Sequence, residues 1–250
     1  NDYKASFQLA EIKYKIIGDL DGAKKSYSYI FNNVKSEEYK RLALSNYINI
    51  SFSKGDIRNS FNIIDSLYKL NISDNMKDLL DMKKIQIYYY TINRDSLIQI
   101  CNNKLKDITR DNMAYNDILD ISSTFSFYTD TELDKYIDAK FKIIQNKRSQ
   151  AIEILESIDK NNNIYELANL ESAYLEILQE NYSNALNSLN KIDSTMLKYK
   201  ERNLLLKAEI YDYGLNDIST AVDLYLHFLE LFPSSIFYDL IRLRLRELAL

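Results

Sequence analysis

The stretch Ala208–Ala221, AEIYDYGLNDISTA, decides the fold, because the chain says it twice. Ala10–Ala23 reads AEIKYKIIGDLDGA, 198 residues earlier. Both open on Ala-Glu-Ile, pass a Gly and a Gly/Asn-Asp pair, and close on Ala 13 residues after the first. A phrase repeated at such a distance is the mark of a repeat architecture.

Between the two copies the pattern persists. Ala139, Ala173 and Ala208 each sit midway along a helical apolar pattern, and Ala151, Ala185 and Ala221 follow 12, 12 and 13 residues later. Ala151 to Ala185 is 34 residues and Ala185 to Ala221 is 36. Four residues past each closing Ala comes a large apolar residue: Leu155, Leu189, Tyr225, and in the first copy Tyr27. Ser60 with Ile64 and Leu97 with Cys101 are looser copies, each 37 residues after the one before. Two antiparallel helices approach closely only where small side chains face each other, so an Ala in each helix marks the contact. The bulky residue one turn on fills the gap to the next pair. One pair cannot bury its stripe alone, so pairs must stack.

Composition agrees. The chain has 250 residues, 46% of them hydrophobic and 27% charged, with only four Gly and one Pro. An all-β chain needs a turn every eight to twelve residues, usually built on Gly or Pro, so the expectation is all-α. The net charge of −4, with acids and bases interspersed, argues against nucleic acid, which needs a basic stripe. The longest uncharged run, Leu42 to Ser53, is too short and too polar to span a bilayer. Asn1 stands where Met would begin a chain; the expectation is a fragment or processed product with any signal peptide already removed.

The predicted helix pairs are 2–17/20–34, 37–53/57–70, 75–92/95–106, 131–145/148–160, 164–180/183–193 and 198–213/218–231. Thr129 to Glu132 reads as a capping box opening the fourth pair. Residues 111–128 form a helix left unpaired, within a phase break over 107–130. Three pairs therefore fill 1–106, of which the second and third are degenerate, and three more fill 131–231. Residues 232–250, after Pro233, form a terminal capping helix, giving about 14 helices in all.

Ala208, Tyr211, Ala221, Tyr225, Phe228 and Pro233 resemble the tetratricopeptide repeat, whose signature places a small residue in the first helix, then A-x3-F and a late Pro. The stretch from Glu180 to Ala185 resembles the family's turn, with Tyr182 in the aromatic slot. The resemblance covers nearly the whole chain and implies a right-handed superhelical solenoid. It implies a non-catalytic scaffold that binds a protein or peptide on its concave surface. That surface is lined by the first helix of each pair, just after the small residue and one turn later. The corresponding residues here are Glu11 and Tyr14, Asn49 and Phe52, Lys140 and Ile143, Tyr174 and Ile177, Glu209 and Asp212. The Lys of the carboxylate-gripping branch is replaced by Phe7, Ser45 and Leu205. The groove left is aromatic and mildly acidic, suited to a peptide with basic and apolar residues. The resemblance favours the bacterial envelope type, hence a periplasmic or cell-envelope setting. The alternatives are an accessory or regulatory domain of a larger protein or enzyme, or a cytoplasmic adaptor.

Other residues carry weaker signals. His227 is the only His, with no Cys near it in sequence, so it reads as an ordinary helix residue and not a zinc ligand. Cys101 falls at a gap-filling position and reads as core. No cofactor or metal is expected. Tyr88, Tyr89 and Tyr90 point about 100° apart on a helix, so at least one belongs to the core. Arg242 and Arg246 share a face of the terminal helix that reads as solvated. Gly18, Gly22, Gly55 and Gly214 all fall at expected turns and form no phosphate loop. Asn49, Asn71 and Asn181 match the glycosylation pattern by chance in an Asn-rich chain.

Overall fold

A computed structural model of the chain describes residues 3–70, 72–91, 94–110, 112, 114–127, 131–193 and 197–248. Among them every regular element is helical and none is a strand. Contacts divide the chain into two compact units, residues 1–129 and 130–250.

In the first unit α1 (Tyr3–Ile12) continues into a π-helical turn, Lys13–Ile17, followed by α2 (Leu20–Asn33), α3 (Glu37–Ser53), α4 (Ile57–Tyr68), α5 (Asp74–Thr91), α6 (Arg94–Asp107) and α7 (Tyr115–Phe127). Each helix packs on its neighbour in sequence. The helix expected to stand unpaired, α7, packs on α6. Ser122 of α7 donates to Asn102 of α6 at 3.4 Å, and Ile118 and Phe125 are buried, with Phe125 edge-on to Tyr89 of α5 at 5.4 Å.

The second unit holds α8 (Thr131–Ile144), α9 (Arg148–Glu156), α10 (Tyr165–Ile177), α11 (Tyr182–Asn190) and α12 (Leu197–Glu209). A second π-helical turn, Ile210–Gly214, leads to α13 (Ile218–Leu231) and α14 (Tyr238–Leu248). Helices α8 and α9, α10 and α11, and α12 and α13 form the expected pairs, and α14 closes on α13 through buried Ile241. Ala173 of α10 and Ala185 of α11 are both fully buried in one cluster, so the small residues do face each other across a pair.

All six closing positions are buried: Ala23, Ser60, Leu97, Ala151, Ala185 and Ala221. So are the residues four later: Tyr27, Ile64, Cys101, Leu155, Leu189 and Tyr225. Burial of an aliphatic or aromatic side chain contributes roughly 1.5–3 kcal/mol, which is why these positions hold the apolar pattern through the degenerate copies.

One backbone device sets the phase. A left-handed residue stands five positions before the closing residue in each described turn: Gly18, Gly55, Asn146, Glu180 and Asn216, with φ of 75°, 80°, 59°, 60° and 54°. The next residue is the N-cap of the second helix, and its carbonyl accepts from the closing residue's N–H: Asp19 from Ala23, Asp56 from Ser60, Lys147 from Ala151, Asn181 from Ala185, Asp217 from Ala221. The third pair's turn, at 92–93, lies outside the described residues.

The turns come in two lengths. Around Gly55, Asn146 and Glu180 the helix ends in a Schellman motif, with Asp56 N–H donating to Ser51 O, Lys147 to Lys142 and Asn181 to Glu176. At Gly18 and Asn216 the bond reaches one residue further back, from Asp19 to Lys13 and from Asp217 to Tyr211. The extra residue is wound into the π-helical turn. Spacings of 12 and 13 residues between small residues therefore reach the same second-helix start, and the 13 of the opening phrase is the π turn written in sequence.

Gly22 and Gly214 lie within helical turns. Gly22 is in the first turn of α2, its N–H capped by Asp19 at 2.8 Å. Gly214 ends the second π turn; a Cβ there would lie 2.7 Å from the Tyr182 ring. The first two residues of the expected capping box, Thr129 and Asp130, and the sequon residue Asn71 lie outside the described residues.

Candidate partner-binding groove

The first helices α8, α10 and α12 carry the site residues expected in the second unit. Lys140 of α8 pairs with Glu171 of α10, Nζ to Oε1 at 2.6 Å. One turn on, Tyr174 points out of α10 toward α12, where Arg202 Nε donates to its hydroxyl. The Arg202 guanidinium lies 5.3 Å from the centroid of the Tyr174 ring and 5.8 Å from that of Phe237, in the segment entering α14. A cation so placed is held by both ring faces.

Beneath this stack is a cavity of about 500 Å³. Leu167, Leu170, Tyr199, Ile236 and Phe237 make it apolar; Glu171, Glu201 and Arg202 stand in its wall. Ile236 is 86% exposed, an unusual state for a large aliphatic side chain beside an apolar cavity. Partial burial raises the Tyr174 phenol above its ordinary value, opposed by Arg202 and reinforced by Glu209 and Glu171. Desolvation likewise raises the Glu209 carboxyl, with Arg202 opposing and Asp212 reinforcing. Tyr174 and Glu209 thus share Arg202 as a charged neighbour, while Lys140 is paired with Glu171.

The remaining expected residues are placed otherwise. Asp212 is 2% exposed and cannot line an open surface. Its carboxylate accepts from Arg244 Nε at 2.8 Å, Arg244 Nη2 at 2.7 Å and the Tyr225 hydroxyl at 3.1 Å. Asp212 lies within the second π turn and faces inward, toward Tyr225 of α13 and Arg244 of α14. Arg244, and not Arg242 or Arg246, is therefore the structural cation of the last helix.

In the first unit, Phe52 is 5% exposed, packed 5.4 Å from Tyr90, and is likewise core, not rim. Tyr14 packs edge-on to Tyr27 at 6.3 Å. Glu11 accepts from the Tyr27 hydroxyl at 2.8 Å and Asn46 Nδ2 at 2.9 Å, and pairs with Lys15. Burial pushes its carboxyl up, but these donors together hold it below the ordinary carboxylate value. Asn49 Oδ1 accepts from Lys83 Nζ at 2.7 Å. Lys83 is 9% exposed, its other acceptor is Gln86, and burial lowers its ammonium to about 8.

Cys101 is buried, and burial pushes its thiol up to about 11. His227 is exposed, 3.8 Å from Glu230. Tyr89 is the core member of the Tyr88–Tyr90 triplet. Among the described residues no group of three His, Cys, Asp or Glu side chains has a metal-holding arrangement, and no helix is long and apolar enough to cross a membrane.

Arg202, Phe237 and Ile236 were not expected at the site. Arg202 stands six residues before Ala208, away from the positions the repeat assigns to the groove, and reaches Tyr174 across 28 residues of sequence. Ile236 and Phe237 lie beyond Pro233, outside any repeat.

No model of a known protein family matches the chain, and a search of curated proteins finds nothing similar to it.

Proposed function

We propose that the chain is a non-catalytic scaffold of the tetratricopeptide type that holds a peptide or protein segment in the α10/α12 groove. The observation that carries this is the Tyr174–Arg202–Phe237 stack over an apolar cavity of about 500 Å³ with exposed Ile236 at its edge. Aromatic and Arg side chains dominate binding energy at protein interfaces, and an apolar pocket ringed by charge accepts an anchor side chain. Around the stack, Glu171, Glu201 and Glu209 oppose Lys140 and Arg202, which suits a segment carrying both apolar and basic residues. The resemblance to envelope tetratricopeptide proteins makes assembly in the bacterial cell envelope the proposed setting.

Peptide display against the immobilised chain tests the reading. The expected result is enrichment of peptides combining a bulky apolar residue with Lys or Arg. Their binding should be lost in Tyr174→Ala and Ile236→Asp at unchanged melting temperature. Selected peptides that bind both variants as tightly as the parent would place recognition elsewhere.

A further inference from the structure

Two overlapping sets of helices in the first unit, α2–α3–α4 and α4–α5–α6, correspond with a shift of 37 residues, the spacing of Ser60 from Ala23 and of Leu97 from Ser60. In the later set, side chains at five registered positions engage one another. Lys84 pairs with Asp65 at 3.4 Å and lies 6.0 Å from the centroid of the Tyr68 ring. The Tyr68 hydroxyl donates to Asp81, and Lys104 Nζ meets Asp81 Oδ2 at 2.6 Å. Charges from α4, α5 and α6 are thus tied together across the groove these helices share.

The same five positions, 37 residues earlier, hold Ser28, Phe31, Leu44, Tyr47 and Leu67. None is charged at neutral pH, and the space among them is a cavity of about 340 Å³. Leu44 and Leu67 are its buried members, and Phe31 and Tyr47 are half-buried rings. The polar part of the lining is neutral throughout, with Asn32, Asn59, Asn62 and Ser66 joining Ser28. Asn32 Nδ2 donates to the Ser28 carbonyl at 2.8 Å, and the Ser66 hydroxyl to the Asn62 carbonyl at 2.6 Å. Among the described residues the side-chain amides of Asn59 and Asn62 bond to nothing else in the chain. Lys24 lies 5.0 Å from the centroid of the Tyr47 ring without joining the lining.

We propose that this cavity binds one ring of a neutral saccharide. A pyranose has apolar C–H faces and an edge of hydroxyls; the cavity sets rings and Leu side chains beside amides and hydroxyls. Each Asn side chain offers donors and an acceptor, so Asn59 and Asn62 can serve both functions of a sugar hydroxyl. No charged side chain lines the cavity to offset the desolvation of an ionic ligand. The volume is at the small end of ligand sites, roughly 300–1,000 Å³, and a stably docked protein segment covers far more surface than such a cavity offers. The inference is independent of the α10/α12 groove, which lies in the other unit.

The test is saturation-transfer NMR on the full chain with methyl glucoside, methyl galactoside, methyl mannoside and N-acetylglucosamine, set against glucuronate. At least one neutral sugar should bind with a Kd of about 1 mM or below, and glucuronate at least about tenfold more weakly. Asn59→Leu and Asn62→Leu should each weaken the neutral sugar about tenfold or more, because a bound hydroxyl loses its partner. Ser28→Asp, which writes in the charge of Asp65, should do the same. Asn103→Leu, in register with Ser66 but on α6, should leave binding unchanged. All of these positions are exposed or half-buried, so melting temperatures should stay within a few degrees. Signal from none of the neutral sugars, glucuronate binding as tight as theirs, or binding unaltered in both Asn59→Leu and Asn62→Leu overturns the proposal. So does a displayed peptide that binds the parent and not Asn62→Leu while no sugar binds, which makes the occupant a peptide side chain.

Discussion

Arg244 grips Asp212 with two hydrogen bonds, 2.8 and 2.7 Å long, across 32 residues of sequence. The Asp212 side chain has no solvent exposure and that of Arg244 has 28%. A buried carboxylate needs a partner, and removing one leaves an uncompensated charge. The Tyr225 hydroxyl supplies the third donor, and burial, reinforced by Asp212, raises the Tyr225 phenol.

Arg244→Ala should therefore lower the denaturant midpoint at pH 7 clearly, because it leaves the buried Asp212 carboxylate without its cation, whereas Arg242→Ala, on an exposed side chain, should leave it nearly unchanged. The Arg244 hydrogen bonds hold the Asp212 carboxyl below its ordinary value. A carboxyl lowered in the folded state contributes stability that is present above its unfolded value, near 4, and is lost as pH falls through the folded value. The difference between parent and Arg244→Ala should shrink on acidification below about pH 4. Equal unfolding midpoints of Arg244→Ala and Arg242→Ala at pH 7 would refute the ion pair.

Lys83 has the opposite sign. Its folded value is lowered to about 8 by burial, against about 10.4 unfolded. Between these values the unfolded chain binds more protons, so stability rises with pH there. Lys83→Met should stabilise the protein at pH 7 by on the order of 3 kcal/mol at most and flatten its pH dependence between 8 and 10 relative to the parent. Because the Asn49 amide would lose its donor, the net gain should fall short of that bound. A parent and variant with parallel stability curves from pH 7 to 10 would show that Lys83 is solvated.

Glu180 sits at φ 60°, where Gly55 sits in the corresponding turn of the second pair. A side chain at a left-handed position costs about 1 kcal/mol that glycine avoids. Glu180→Gly should raise stability by about 0.5–1 kcal/mol, read as an increase in urea midpoint. Gly55→Ala should lower it by a similar amount, although no atom stands within 4 Å of the added Cβ. A neutral or opposite shift in both would mean that the turn residue does not hold this conformation in solution.

Gly214 stands against Tyr182. Gly214→Ala should cost about 1–3 kcal/mol through overpacking. Adding Tyr182→Ala should recover part of that loss, because the clash is with the ring alone. A double-mutant cycle yielding strict additivity would show that the two residues do not touch.

The helix pairs, their closing residues and the neighbour-on-neighbour packing were legible in the sequence, because each follows from side chains within one or two turns of one another. The small residues and the bulky residues one turn on are a local grammar that survives divergence. The 12- and 13-residue spacings were visible too, but not their meaning. A π turn absorbs the thirteenth residue at Gly18 and Asn216.

What only the tertiary structure decided are the charges and the open surfaces. Asp212 with Arg244, Asn49 with Lys83 and Tyr174 with Arg202 meet across 32, 34 and 28 residues. Each joins side chains on different helices, so no periodicity within one helix encodes them. Whether an Ile is core or surface is likewise undecided by its motif: Ile12 and Ile210 occupy the same place in the same phrase, and one is open while the other is sealed. The motif dictates which face of a helix pair is apolar, whereas burial depends on what packs against that face, and that is a property of the assembled chain.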